Sequence, residues 1–135
     1  MDRVFLDANV LFSAAFAPRS LFLRFWEMTD VEALTSASAA EEARRNLQQK
    51  RPDRLVEFDR LVGALQVVPG SDPERELPEG VSLPEDDCPI LLAAIEAHAT
   101  HLLTGNHRDF GPLYGRTIAG VLILRPADYP PAVPM

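Results

Sequence analysis

Arg3-Val4-Phe5-Leu6-Asp7-Ala8-Asn9 decides the fold. Residues 3–6 are short and apolar, as a strand buried on both faces must be, and the chain turns polar where that strand ends. Residues 9–16 (NVLFSAAF) are apolar again and begin a helix. The same alternation continues outward. Leu21, Phe22, Phe25 and Trp26 fall on one helical face, and Val31 to Leu34 predicts a second strand. Residues 36–49, rich in Ala, Glu, Arg and Gln, predict a helix. Pro52 ends that helix or opens the next, whose stripe is Leu55, Phe58, Leu61, Val62 and Leu65. Gln66 to Val68 predicts a third strand, and residues 69–86, dense in proline, glycine and acid, a long loop on a functional rim. Cys88 to Ala99 is nearly all apolar and predicts a helix buried on most sides. His101 to Leu103 predicts the fourth strand and residues 120–124 (GVLIL) the last. A polar-aromatic turn region occupies residues 107–115, and the Pro-rich tail from Arg125 reads as irregular.

Strands alternating with helices imply an α/β sandwich, with a mainly parallel sheet flanked by helices on both faces. At 135 residues the chain fits one domain over 1–135, with a core of about 3–124 and a tail over 125–135. The start runs straight into a strand, so no signal or transit peptide is expected. No apolar stretch approaches the ~20 residues that span a bilayer. Cys88 is the only cysteine, which excludes an internal disulfide framework and fits a reducing cytoplasm. The net charge of −7 argues against binding nucleic acid through bulk positive charge, which depends on Lys and Arg displacing counterions. Bound cations invert that logic locally.

The acids therefore matter by position. Asp7 follows the first strand, Asp86 and Asp87 precede a helix, and Asp109 lies in a turn. Each has an ordinary reading as a cap or turn former. Ser38-Ala39-Ala40-Glu41 matches capping-box spacing and gives Glu41 a structural task. Glu42 has none: it borders an inward row of Ala39, Ala43 and Leu47, and its plain alternative is a solvated charge. Ligands of open α/β sheets bind beyond the carboxyl ends of the strands; Asp7-Ala8-Asn9 and Thr104-Gly105-Asn106 fall there, and Asp86-Asp87 at an adjoining helix start. Carboxylates gathered there repel unless protonated or neutralised by cations. Hard oxygen donors suit Mg²⁺ or Mn²⁺, and such ions activate water for phosphodiester hydrolysis.

Four segments in order resemble the motifs of PIN-domain ribonucleases: Phe5-Leu6-Asp7-Ala8-Asn9-Val10-Leu11, Glu42-Ala43-Arg44-Arg45-Asn46-Leu47, Asp87-Cys88-Pro89-Ile90-Leu91, and Leu103-Thr104-Gly105-Asn106 through Asp109-Phe110. The resemblance implies a PIN-like three-layer sandwich and a Mg²⁺- or Mn²⁺-dependent endoribonuclease. It also implies a VapC-like toxin, commonly dimeric and held in check by a cognate antitoxin protein. By motif, Asp7, Glu42 and Asp87 become the catalytic, metal-binding acids, with Asn9 and Thr104 orienting them. Many family members carry Asp where this chain has Asn106, so the fourth acid is assigned to Asp109 and Asn106 joins the orienting group.

Three other readings compete. A HAD-like phosphatase wants Asp where Asn9 stands and a well-placed lysine, and Lys50 is the only one. A zinc site at His98, His101 and Cys88 would straddle a helix-to-strand transition on a single cysteine. A PIN-like domain that binds RNA or protein without cutting draws its support from Asn106.

Overall fold

The computed structural model describes residues 1–130. Among these residues six strands form one sheet: β1 (Asp2–Leu6), β2 (Val31–Ser36), β3 (Gln66–Val68), β4 (His101–Leu103), β5 (Thr117–Ile118) and β6 (Val121–Leu124). The spatial order is β3-β2-β1-β4-β6-β5. Every neighbouring pair is parallel except the hairpin of β5 with β6. From β1 the chain steps outward to β2 and β3, then returns to place β4 on β1's other side, so the topological switch point lies between β1 and β4. The backbone N–H of Asp7 donates to the Leu103 carbonyl at 3.1 Å, which prolongs that pairing to the rim.

Among the described residues six α-helices cover the sheet: α1 (Ala8–Phe16), α2 (Arg24–Glu27), α3 (Ala37–Lys50), α4 (Leu55–Gly63), α5 (Cys88–Glu96) and α6 (His107–Phe110). Parallel crossovers are right-handed, which sends α1, α3 and α4 to one face and α5 to the other. The packing agrees: α1 lies against α3 and α4, and α5 against β2 and β4. Together these make the expected three-layer α/β sandwich. Its core joins Val4, Phe5 and Leu6 of β1 to Leu102 and Leu103 of β4, to Ala39, Ala43 and Leu47 of α3, and to Ile90, Leu91, Ala93 and Ala94 of α5. The inward row on α3 is completely buried, which pins the rotation of that helix and hence the direction of Glu42. Trp26 joins the same body, its indole N–H donating to the Leu61 carbonyl at 2.9 Å.

Several expectations need correction. The cap of α3 is Ser36, whose hydroxyl accepts from the Ala39 N–H at 3.1 Å; β2 runs two residues further than its apolar stretch, moving the cap upstream of Ser38. Glu41 is left on the surface, 4.0 Å from Arg45. Helix α5 stops at Glu96, short of Ala99, because His98 takes a left-handed backbone (φ 56°) to turn into β4. The region 107–115 contains the short helix α6, capped by Asn106. Strand β5 had no apolar run to announce it. The tail is anchored: Pro126–Asp128 forms a 3-10 turn, and buried Tyr129 donates to the Asp2 carboxylate at 2.8 Å. The rest of the tail, residues 131–135, lies outside the described residues. Among the described residues no helix is long and apolar enough to cross a membrane.

Candidate active site

A cleft of about 310 Å³ opens at the β1/β4 switch point. Asp7 forms its floor and is 4% exposed. As the N-cap of α1 its Oδ1 accepts from the Ala8 N–H at 2.7 Å. Its Oδ2 accepts from the Thr104 hydroxyl at 2.7 Å and from the Asn9 amide at 3.3 Å. Three of roughly four acceptor positions on a carboxylate are thus occupied, and one is left for the cleft. Asp7 is a cap, as its ordinary reading held, and faces the cleft as well. Burial pushes its proton affinity up, against the pull of Thr104, Ala8 and Asn9.

The orienting residues form one network. The Asn9 side chain donates to the Thr104 hydroxyl at 3.3 Å and accepts from the Gly105 N–H at 2.8 Å. Thr104 is fully buried, and its own carbonyl accepts from the Tyr114 hydroxyl at 2.7 Å. Gly105 is needed for close approach: a Cβ there would stand 3.2 Å from Asn9 Oδ1.

Glu42 and Asp87 line the walls. The Glu42 carboxyl is pushed above the usual range by desolvation first, then by the charge of Asp7, with Asp86 adding to this and Arg45 opposing it. The residue as a whole is open to water, so solvent screens both effects. Asp87 immediately precedes α5, yet its side chain makes no capping bond. Its carboxyl is raised to about 7 by desolvation, then by sharing a proton with Asp109 and by that residue's charge, and further by Asp7 and Glu42. Asp109 moves the opposite way, held low by the Asn106 amide and by Asp87.

The structure therefore brings Asp7, Glu42 and Asp87 to one cleft and joins Asp109 to its edge through Asp87. Asn106 donates to Asp87 at 3.4 Å and to Asp109 at 3.1 Å. Its carbonyl oxygen, the atom that could have ligated an ion, instead caps α6 by accepting from the Asp109 N–H at 3.3 Å. His107 lies in a neighbouring hollow with Arg125, edge-on to Tyr114. The Cys88 thiol donates to the Leu83 and Pro84 carbonyls, and His101 bonds to Thr100 and stands 3.8 Å from the Asp2 carboxylate. The zinc reading has no such site among the described residues.

Three further polar residues line the cleft that were not assigned to the site: Asp86, Asn46 and Lys50. Glu42, Asn46 and Lys50 stand at i, i+4 and i+8 on α3, one row beside the buried Ala39-Ala43-Leu47 row. That spacing could have found them. Asp86 was hidden by its neighbour, since one acid of the pair suffices to start a helix.

The donors are hard carboxylate oxygens of raised proton affinity, Asp7 through burial and Glu42 and Asp87 through burial and neighbouring charge, which is the electrostatic signature of a place short of positive charge. Among the described residues no three His, Cys, Asp or Glu side chains stand close enough to enclose an ion directly. An ion that keeps most of its own water and takes only one or two carboxylates fits this spacing, as Mg²⁺ does.

An α/β sandwich with an acidic cleft at its switch point is the class defined by this geometry. The PIN domain family model matches residues 3–108, most of the chain, and the chain belongs to that family. The match ends one residue before Asp109. No curated protein matches the sequence. Three solved structures share the fold. A chain of VapBC2 from Rickettsia felis, solved bound to a DNA fragment from its promoter, aligns with TM-score 0.66 at 16% identity over 91% of this chain and 98% of its own. A chain of FitAB bound to a DNA fragment aligns with TM-score 0.62 at 16% identity over 91% and 94%. Mycobacterium tuberculosis VapC20, a sarcin-ricin loop cleaving toxin, aligns with TM-score 0.53 at 16% identity over 73% and 86%.

Proposed function

We propose that this chain is a divalent-metal-dependent endoribonuclease that works as the toxin of a toxin–antitoxin pair. The observation that carries the reading is the convergence of Asp7, Glu42 and Asp87 on one cleft, where the charge of Asp7 raises the proton affinity of both Glu42 and Asp87. Mg²⁺ or Mn²⁺ bound there would supply a water of lowered pKa and a counter-charge for the leaving oxygen. The chain's own residues do the rest. Thr104 and Asn9 hold the Asp7 carboxylate in one orientation, with no rotamer to search at the moment of reaction. Glu42 stands at the open mouth, where incoming substrate passes it. Asp87 and Asp109 form the second acidic wall, and Asn106 keeps them apart from free rotation by donating to both.

RNA as substrate is supported by the family and by the neighbour described as a sarcin-ricin loop cleaving toxin. A protein antitoxin as partner is supported by the two neighbours solved as VapBC and FitAB complexes. We further propose a single cytoplasmic domain that forms a homodimer, in keeping with the family. The rival reading of a binding domain that does not cut rests on Asn106, whose amide replaces a charge beside Asp87. A cleavage assay on structured RNAs decides between them: wild type should cut with Mg²⁺ or Mn²⁺, stop on adding EDTA, and lose activity in Asp7→Asn. Equal products from Asp7→Asn would overturn the nuclease reading.

A further inference from the structure

From the acidic cleft, two helix faces run in the same direction. On α3, Glu42 is followed at helical spacing by Asn46 and Lys50, a reach of roughly 12 Å at about 1.5 Å per residue. On α1, Asn9 is followed by Phe12 and Phe16. The two faces meet: Lys50 Nζ lies 5.6 Å from the Phe12 ring centroid, and the Phe12 and Phe16 rings are 5.4 Å apart. Phe12, Asn46 and Lys50 line the same cleft as Asp7 and Glu42. Lys50 is the only cation among the lining residues and makes no ion pair among the described residues. Phe12 is half-buried and Phe16 is 37% exposed. Arg51 lies over the Phe16 ring at 5.3 Å, though Asp53 holds it at 2.9 Å.

We infer that Phe12 and Lys50 form a flanking subsite for single-stranded RNA, in which a nucleobase next to the scissile position stacks on the Phe12 ring and its phosphate meets the Lys50 ammonium. The inference rests on the reading of the cleft as an RNA site and adds where the strand leaves it. Proteins that hold single strands pair a cation with an aromatic ring in this way, because every base has a π-face and every linkage a charge. Asn46, between Glu42 and Lys50, offers a donor and an acceptor to a base edge. The pairing of one aromatic ring with one ammonium unpaired among the described residues decides the occupant, since a nucleotide carries both a π-face and a charged linkage. A polynucleotide places its phosphates against Lys50 at one end and against cation-neutralised acids at the other.

The test compares a fluorescent hexauridylate with an abasic hexamer of the same backbone, in Mg²⁺, read as Kd by anisotropy where the oligomer stays intact and as KM where it is cut. Wild type should prefer the base-bearing strand by roughly 5- to 100-fold, the range of one base–aromatic stack. Phe12→Ala should erase the preference and Phe12→Trp should keep it. Lys50→Gln should weaken both strands alike and flatten the log–log salt slope by about 0.7, as expected for one phosphate contact. Phe12→Leu, which keeps bulk without the ring, replaces Phe12→Ala if the latter fails to fold. No preference in wild type, or an undiminished preference in Phe12→Ala, overturns the subsite. So does sedimentation showing that Phe12→Ala only splits a dimer. A Phe12-dependent preference without any cleavage keeps the subsite and sinks the nuclease reading; cleavage indifferent to Phe12 does the reverse.

Discussion

Replacing Asp87 by Asn should make the metal-free protein more stable at alkaline pH, although the change removes a charge from a helix start. In the fold the Asp87 carboxyl rises from 3.8 to about 7. At about 1.36 kcal/mol per pKa unit this caps the cost of ionising it at roughly 4 kcal/mol. The side chain is only half-buried, and solvent screening reduces the figure to about 1–2 kcal/mol. Against this stands the helix macrodipole of α5, which favours an acid at its N-terminus by about 0.5 kcal/mol. The net gain for Asp87→Asn is then about 1 kcal/mol, or about 3–5 °C in Tm for a domain of this size. The sign follows from linkage. A carboxyl that binds protons more tightly folded than unfolded favours the fold most below the unfolded value, and this support is lost as pH rises through about 7. Thermal unfolding in EDTA at pH 5 and pH 8 reads it out: wild type should lose more Tm than the variant between the two. Saturating Mg²⁺ should restore wild type, by about 2.7 kcal/mol at a hundred times Kd, and help the variant less. An Asp87→Asn protein no more stable than wild type at pH 8 in EDTA, or ahead by the same margin at pH 5, would refute the raised proton affinity of Asp87.

Two further substitutions probe the same network. Thr104→Val removes the 2.7 Å hydrogen bond to the buried Asp7 carboxylate. It should cost about 1.5–3 kcal/mol, and less as acid protonates a carboxylate that burial already disposes to bind a proton; denaturant melts across a pH series check this. Asn106→Asp replaces the donor that faces Asp87 and Asp109 with a third negative charge. The metal-free protein should lose roughly 2 kcal/mol while its calorimetric affinity for Mn²⁺ increases. A stabilised apoprotein would show that these acids do not repel.

Most of the fold was legible because the parallel strands are buried on both faces and so read as short apolar runs, as in Val4-Phe5-Leu6 and Leu102-Leu103. The edge hairpin was not, since two-residue β5 is defined by its partner β6 and carries no periodicity of its own. The cap of α3 was misplaced because Thr35 and Ser36 are buried polar residues that extend β2, and their burial depends on Thr35 donating to the Leu6 carbonyl at 2.8 Å across the sheet. At the candidate site the acids were visible at strand ends, and motif likeness supplied their order. How they are held was not visible. The Asn9–Thr104–Gly105 network joins residues about a hundred positions apart, and nothing local specifies that Asn106 spends its carbonyl on α6. The polar row Glu42-Asn46-Lys50 was open to reading, but an exposed helix row counts as solvated surface until a second wall is found.

The proposed chemistry needs a divalent ion among Asp7, Glu42 and Asp87. Crystals soaked in Mn²⁺ and measured for anomalous scattering test it most directly. The expected result is a peak in the cleft within ligand or water-bridged reach of Asp7 and at least one other wall acid, absent in Asp7→Asn. Peaks confined to surface carboxylates away from the β1/β4 switch point, at saturating Mn²⁺, would contradict it.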